Sequence, residues 1–405
     1  MSDPDLVVAY NFAPYADASA ITTLKRIVAR GLPVDVVSNR LDGIREIDSS
    51  LSQLASPFLR SHALLAEPVS FSQWTSVRDF TQAGLDAVRE MGRSHRCVYS
   101  RSMWAHSHFL AAALKILGVV PEWTAEFSDP LRRTVDGSRR PSGHVPQDPL
   151  AGLLLAGVPS AARHVMSAER EVFDWAEILP LALADRVVFT NDNQREVVVD
   201  GIRSPWLRQR LGERAEVSPH PSIRWDARYE DPAAHLERID GALHMAYFGT
   251  FYANRGLGSL LEVMAHFRNR GTCVMLDVYS EASQELQAAS CAAGVRDLLR
   301  FRDRVPYATA CTLQSQYDVL VTNDVIAPDF GGRQPFLPSK LSDYSAAGVP
   351  VLALVEPGSP TSQLGLEHAA PLGDMASLVD VVERLVSETR RAPRGLPVER
   401  AQDRR

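Results

Sequence analysis

Short runs of β-branched and apolar residues alternate with amphipathic stretches along this 405-residue chain, and that alternation admits few folds. Strand-like runs cover 6–10, 34–37, 98–99, 123–127, 186–189 and 215–217, with helical spacing over 19–30, 77–91, 103–117, 161–183 and 193–202. The rhythm resumes with strands at 245–248, 274–278, 299–301, 319–321 and 351–354 and helices at 258–268, 283–293, 307–314, 340–347 and 375–388. Strands this short and uniformly apolar are buried on both faces, as in parallel sheets covered by helices. The polar, proline-containing segment 218–240 breaks the pattern. The reading therefore predicts two doubly wound, Rossmann-like α/β domains, 1–220 and 221–389, followed by an Arg/Pro-rich disordered tail at 390–405. Two such domains would face each other across a cleft at the carboxyl ends of their sheets, where ligands of these folds bind.

Composition narrows the partners. With 43 Lys+Arg against 49 Asp+Glu and no basic patch before the tail, nucleic acid is not expected. Cys97, Cys273, Cys291 and Cys311 show no CxxC or metal-ligand spacing, which suits a reduced, cytoplasmic protein without disulfides. The first residues have no basic region ahead of an apolar run, so no leader is expected. The longest apolar run, 150–158, is far short of the about 20 residues that span a bilayer. It reads either as a buried helix or as an acceptor lid or membrane-surface patch, so peripheral membrane contact stays open.

Most of the chemistry is concentrated in LPSKLSDYSAAGVPVL, residues 337–352. Pro338 and Ser339 open a helix whose first amides attract phosphate. Asp343 follows one turn later on the side of Ser339, within reach of ribose hydroxyls, and Gly348 ends the helix before the next strand. From the residues alone, an ordinary helix-to-strand unit explains the same string.

That string resembles the donor-site motif of family four glycosyltransferases, nearest to a bacterial branch that builds surface polysaccharides or secondary metabolites. The resemblance implies the GT-B architecture and transfer of a sugar from a nucleoside-diphosphate donor (UDP- or GDP-linked) to a hydroxyl acceptor. It implies retention at the anomeric carbon, and because basic residues and the helix start can neutralise the diphosphate, no metal ion or cofactor is expected. It assigns donor contacts to Ser339, Lys340, Leu341 and Asp343. The string YFGTFYANRGL at 247–257 resembles the family's strand, glycine loop and basic residue, which adds Gly249, Thr250 and Arg255 to the donor site. The turn RDRVPY at 302–307 falls where the family binds the base and adds Val305 and Pro306. Arg255 and Lys340 would stabilise the departing diphosphate, the main electrostatic demand of the reaction.

In the first half, YSRSMWAHSHF at 99–109, EWTAEFSDP at 122–130 and ADRVVFTNDNQR at 184–195 resemble the acceptor-domain blocks of the same branch. Acceptor candidates are Tyr15, Asp17, His106, Ser128 and Asp129, with Asp129 also placed beside the reacting sugar. His106 and His108, two apart on a helix, cannot share a face and read as polar surface or capping groups. Two positions depart from the family. Pro335 stands where a sugar-contacting glutamate is usual, and the first strand–helix loop, 14–20, lacks adjacent glycines. Asp329, Gly331, Gly332 and Arg333 are the nearest replacements for the sugar contacts. A donor-binding protein without turnover, or a partner subunit, is the alternative reading. A sugar-nucleotide epimerase would need an acid–base cleft that these residues do not assemble.

Overall fold

The computed structural model describes residues 5–224, 229–249, 257–280, 283–327 and 330–391. The first half runs β1 (Asp5–Val8), α1 (Ala18–Arg30), β2 (Val34–Asn39), α2 (Ser49–Ala55), β3 (Leu59–Leu65), α3 (Trp74–Glu90), β4 (Cys97–Ser102), α4 (His106–Ile116) and β5 (Glu122–Phe127). It continues through α5 (Pro149–Gly157), α6 (Ser160–Ala168), α7 (Val172–Leu183), β6 (Arg186–Phe189), α8 (Asp192–Gly201), α9 (Pro205–Arg214) and β7 (Ala215–Val217). The second half runs β8 (Leu243–Phe248), α10 (Gly258–Asn269), β9 (Val274–Tyr279), α11 (Gln284–Ala292), β10 (Leu299–Arg302), α12 (Tyr307–Gln314) and β11 (Val319–Asn323). Last come α13 (Lys340–Ala347), β12 (Val351–Val355), α14 (Pro360–Gln363), β13 (His368–Pro371) and α15 (Met375–Arg391).

The strands form two parallel sheets, ordered β3-β2-β1-β4-β5-β6-β7 and β10-β9-β8-β11-β12-β13. Strand order reverses between β1 and β4 in one sheet and between β8 and β11 in the other. At such switch points the loops leaving the strand ends diverge and open a crevice. Helices cover both faces of each sheet, each half has its own main apolar core, and a smaller cluster around Val7 and Phe12 also takes in Tyr307 of the second half.

Local chemistry sets the helix ends that frame the crevice. Asp17 caps α1 by accepting the Ser19 amide at 2.8 Å, and Gly31, at φ 64°, closes it. Asn191 caps α8 through the Gln194 amide at 2.8 Å. The stretch expected as one helix over 161–183 is two helices, because Trp175 turns its indole N–H back onto the carbonyls of Met166 and Glu169, both at 2.9 Å.

Helix α4 corrects the expectation for its histidines. Its residues from His106 to Leu114 are all buried, so it is a core helix rather than an amphipathic one. His106 Nε2 meets Ser76 Oγ at 2.9 Å, and His108 Nδ1 meets Ser100 Oγ at 2.8 Å. Burial pushes both imidazoles down to about 3. The 150–158 run packs one side on the interior: Leu150, Ala151, Leu154 and Val158 join the first core, while Gly152, Ala156 and Gly157 are exposed. Gly157 lies so close to Ile116 that a Cβ would sit 2.5 Å from its side chain. Among the described residues no helix is long and apolar enough to cross a membrane.

Candidate functional site

Between the two switch points lies a cleft of about 760 Å³. Of the residues expected from sequence, Gly249, Val305, Ser339, Lys340 and Asp343 line one wall, and Asp17, Ser128 and Asp129 line the other. Thr250, Arg255 and Asp329 lie outside the described residues.

The wall from the second half is built on α13. Ser339 occupies the capping position with helical dihedrals and makes no side-chain cap. The Leu341 amide turns back onto the Pro338 carbonyl at 3.1 Å, so the Leu341 N–H belongs to the turn and its side chain is buried away from the cleft. That removes Leu341 from the expected contacts. Lys340 extends Nζ over the Tyr247 ring, 3.5 Å from its centroid. Gly249 makes room for it: its φ is +133°, and a Cβ there would stand 2.9 Å from that ammonium. The Tyr344 hydroxyl accepts the Phe248 amide at 3.0 Å, which ties α13 to the end of β8.

Asp343 stands at the lip, its side chain 14% exposed. Its Oδ1 accepts from Tyr307 Oη at 2.6 Å and from Lys25 Nζ at 2.7 Å. Below it, the rings of Phe248 and Tyr279 stack in parallel at 4.3 Å. Tyr279 is fixed through a 2.9 Å bond to the Tyr317 hydroxyl, which donates to buried Asp277 at 2.6 Å. Burial and that carboxylate hold the Tyr317 phenol well above its usual range. Val305, Ala310 and Gln314 close this end of the cleft. Gln314 is 4% exposed, and its carboxamide has no hydrogen-bond partner among the described residues. Pro306 caps α12 and does not line the cleft.

The opposite wall differs more from expectation. Tyr15 is buried, donating to Asp42 at 2.7 Å, because its loop is pinned by a bridge to Ile47. His106 is packed against Tyr10, with ring centroids 4.0 Å apart. Neither residue lines the cleft, and both are removed from the acceptor candidates. Asp17 lines it with a carboxylate already committed to the α1 cap and to Arg45 at 3.0 Å. Sequence reasoning missed what stands there instead. Arg101, almost fully buried, pairs with Glu126 and donates to Ser128 Oγ at 3.2 Å and to His220 Nε2 at 3.3 Å. Arg26 and Tyr99 also bind Glu126, each at 2.9 Å. Burial, then Arg101, Lys25 and Arg26, keep His220 neutral, with a pKa well below the usual histidine value. Only packing across sheet ends assembles this set, so no spacing in the sequence announces it.

At Pro335 the loop faces the first domain rather than the cleft. Its carbonyl accepts from Asn191 at 2.9 Å, and the Gln334 carbonyl accepts from Asn193 at 3.0 Å. Arg333 pairs with Glu196 and Asp200 on α8, so it is committed to the domain contact and not to a sugar. Glu367, His368 and Glu388 are the one group of metal-ligand type found among the described residues, and none of them lines the cleft.

No family model matches the sequence, and no curated protein does. Solved structures match it over nearly its whole length. The catalytic domain of starch synthase IV from Arabidopsis thaliana, bound to ADP and acarbose, superposes with a TM-score of 0.58 at 10% identity, over 97% of this chain and 93% of that one. A glycosyltransferase from Rickettsia africae gives 0.57 at 9%, over 96% and 89%. Sucrose-phosphate synthase from Thermosynechococcus elongatus gives 0.56 at 15%, over 96% and 90%. At these identities the likeness is one of fold: two Rossmann-like domains in the GT-B arrangement.

Proposed function

We propose that this chain transfers a glycosyl unit from a nucleoside-diphosphate sugar to a hydroxyl acceptor, with retention and without a metal ion. The observation that carries the reading is Asp343. It is a carboxylate at the lip of the inter-sheet cleft, one turn into a helix whose first residue, Lys340, extends a cation into the same space. A base would lie against the Phe248–Tyr279 pair, with the Gln314 carboxamide offering a donor and an acceptor to its edge. Ribose hydroxyls would donate to Asp343, and the diphosphate would meet Lys340 and the start of α13. Arg255, outside the described residues, is assigned by its motif to the same diphosphate. Ser128 and Asp129, on the facing wall, are the groups offered to the acceptor and the reacting sugar.

Asp343→Asn tests the assignment. It keeps the shape of the side chain but removes the charge on which ribose hydroxyls would bind. Donor affinity by calorimetry should fall by about 1.5–3 kcal/mol, with the far-ultraviolet spectrum unchanged. Unchanged affinity would return Asp343 to a purely structural part.

The second reading, a donor-binding protein without turnover, is favoured by Pro335 alone, since its loop holds domains together where a sugar contact is usual. Tight donor binding combined with neither transfer nor slow donor hydrolysis would select it.

A further inference from the structure

Resting on the reading of the cleft as a nucleotide site, we infer that Lys25, on the opposite domain, is the residue that positions Asp343 for ribose. Helix α1 presents Ala18, Ile21 and Lys25 to the cleft at helical spacing. Lys25 is only 1% exposed, yet its ammonium reaches out of its own domain altogether. It donates to Ser342 Oγ at 2.6 Å and to Asp343 Oδ1 at 2.7 Å, both on α13. Ser342 passes the contact on, its hydroxyl donating to the Ser339 carbonyl at 2.8 Å. One cation thus holds the helix start and the carboxylate one turn later.

A buried ammonium is costly unless charge and hydrogen bonds compensate it, and here both come from the other domain. The pair therefore exists only while the domains are together. Lys25 and the Tyr307 hydroxyl both bind Oδ1, so ribose would be taken by Oδ2. Asp343 borders the main cleft and a neighbouring cavity of about 400 Å³. Helix α12 is held across the same seam. The Tyr307 amide donates to Asp48 at 2.6 Å and the Ala308 amide to Ser50 at 3.2 Å, so the first domain caps this helix from outside. Both helices that frame the nucleoside end of the cleft are thus set by residues of the acceptor-side domain. Ribose recognition is coupled to closure, and Lys25 is the charged member of that coupling.

Calorimetry of the full chain and of Lys25→Met, Lys25→Gln and Lys25→Arg, with UDP, GDP, ADP and inorganic pyrophosphate, tests this. Lys25→Met should weaken the nucleoside diphosphate that binds wild type by about ten-fold or more, while pyrophosphate, which lacks ribose, changes by less than about two-fold. Lys25→Arg should recover part of the loss. In a Lys25→Met background, Asp343→Asn should add little, since the two residues act as a unit. If Lys25→Met does not fold, Lys25→Gln serves in its place. Wild-type affinity in the variant overturns the inference. So does tighter binding, which would make Lys25 a competitor of ribose, and so does an equal loss of pyrophosphate, which would mark general loosening of the interface. A wild-type chain that binds no nucleoside diphosphate overturns the functional reading itself, and the inference with it.

Discussion

Replacing Lys340 with alanine should slow turnover of a bound sugar nucleotide by about 10²–10³, roughly 2.7–4 kcal/mol in the barrier, while both domains stay folded. Negative charge grows on the diphosphate as the glycosidic bond breaks, so a fixed cation beside it acts mainly on the transition state. Lys340 is preset for that part. Its ammonium lies 3.5 Å over the Tyr247 ring, and Gly249 gives it passage. Binding of the intact donor should weaken much less than turnover, and that split is the readout. Near-normal turnover in Lys340→Ala would transfer the leaving-group role to Arg255 and the helix start.

The second large effect is on acid stability. His106 and His108 are fully buried, and burial lowers their pKa values to about 3 from the usual 6.5. Between those values the unfolded chain binds more protons than the folded one, so stability is complete above about pH 6.5 and falls as the pH drops. At pH 5 each imidazole should cost the fold about 2 kcal/mol relative to pH 7, or about 4 kcal/mol for the pair. Hydrogen bonding agrees. Ser100 Oγ accepts from the Trp123 indole at 2.8 Å and pairs with His108 Nδ1 at 2.8 Å, a contact a neutral imidazole satisfies in either tautomer. Buried Glu177, whose pKa burial raises, works in the opposite direction. A variant comparison therefore isolates the histidines. Denaturant unfolding of wild type and of a His106→Gln/His108→Gln variant at pH 7 and pH 5 should differ in slope by the pair's amount. Parallel pH dependences would show that the histidines do not titrate in this way.

The parts of the fold legible in the sequence were those that burial writes into a short window. The central strands are apolar on both faces, and α12 and α13 have the ends predicted. One edge of each sheet, β3 and β13, was not legible, whereas the opposite edges, β7 and β10, were. β3 reads LRSHALL and β13 reads HAAP, because an edge strand is half-covered and needs no β-branched run. The short helices α2 and α9 are polar or charged through much of their length and carry weak periodicity. In the site, local motifs located Gly249, Ser339, Lys340 and Asp343, since one loop and one helix start hold them together. Tyr15 and His106 were misplaced because sequence position near a strand end does not say which way a side chain points. Lys25, Arg101 and His220 were missed because their partners stand 25 to 318 residues away, and Gln314 because nothing in its helix marks it as lining the cleft. A lysine in an amphipathic helix looks solvated until the other domain is in place.

Titration calorimetry of this chain with UDP, GDP and ADP, in chelator and without added metal, tests the central claim most directly. At least one nucleoside diphosphate should bind saturably and raise the melting temperature, by about 2.7 kcal/mol of stabilisation at a hundred times its dissociation constant. No heat and no thermal shift with any of the three at about millimolar concentration would contradict the assignment of the Asp343 cleft as a nucleotide site.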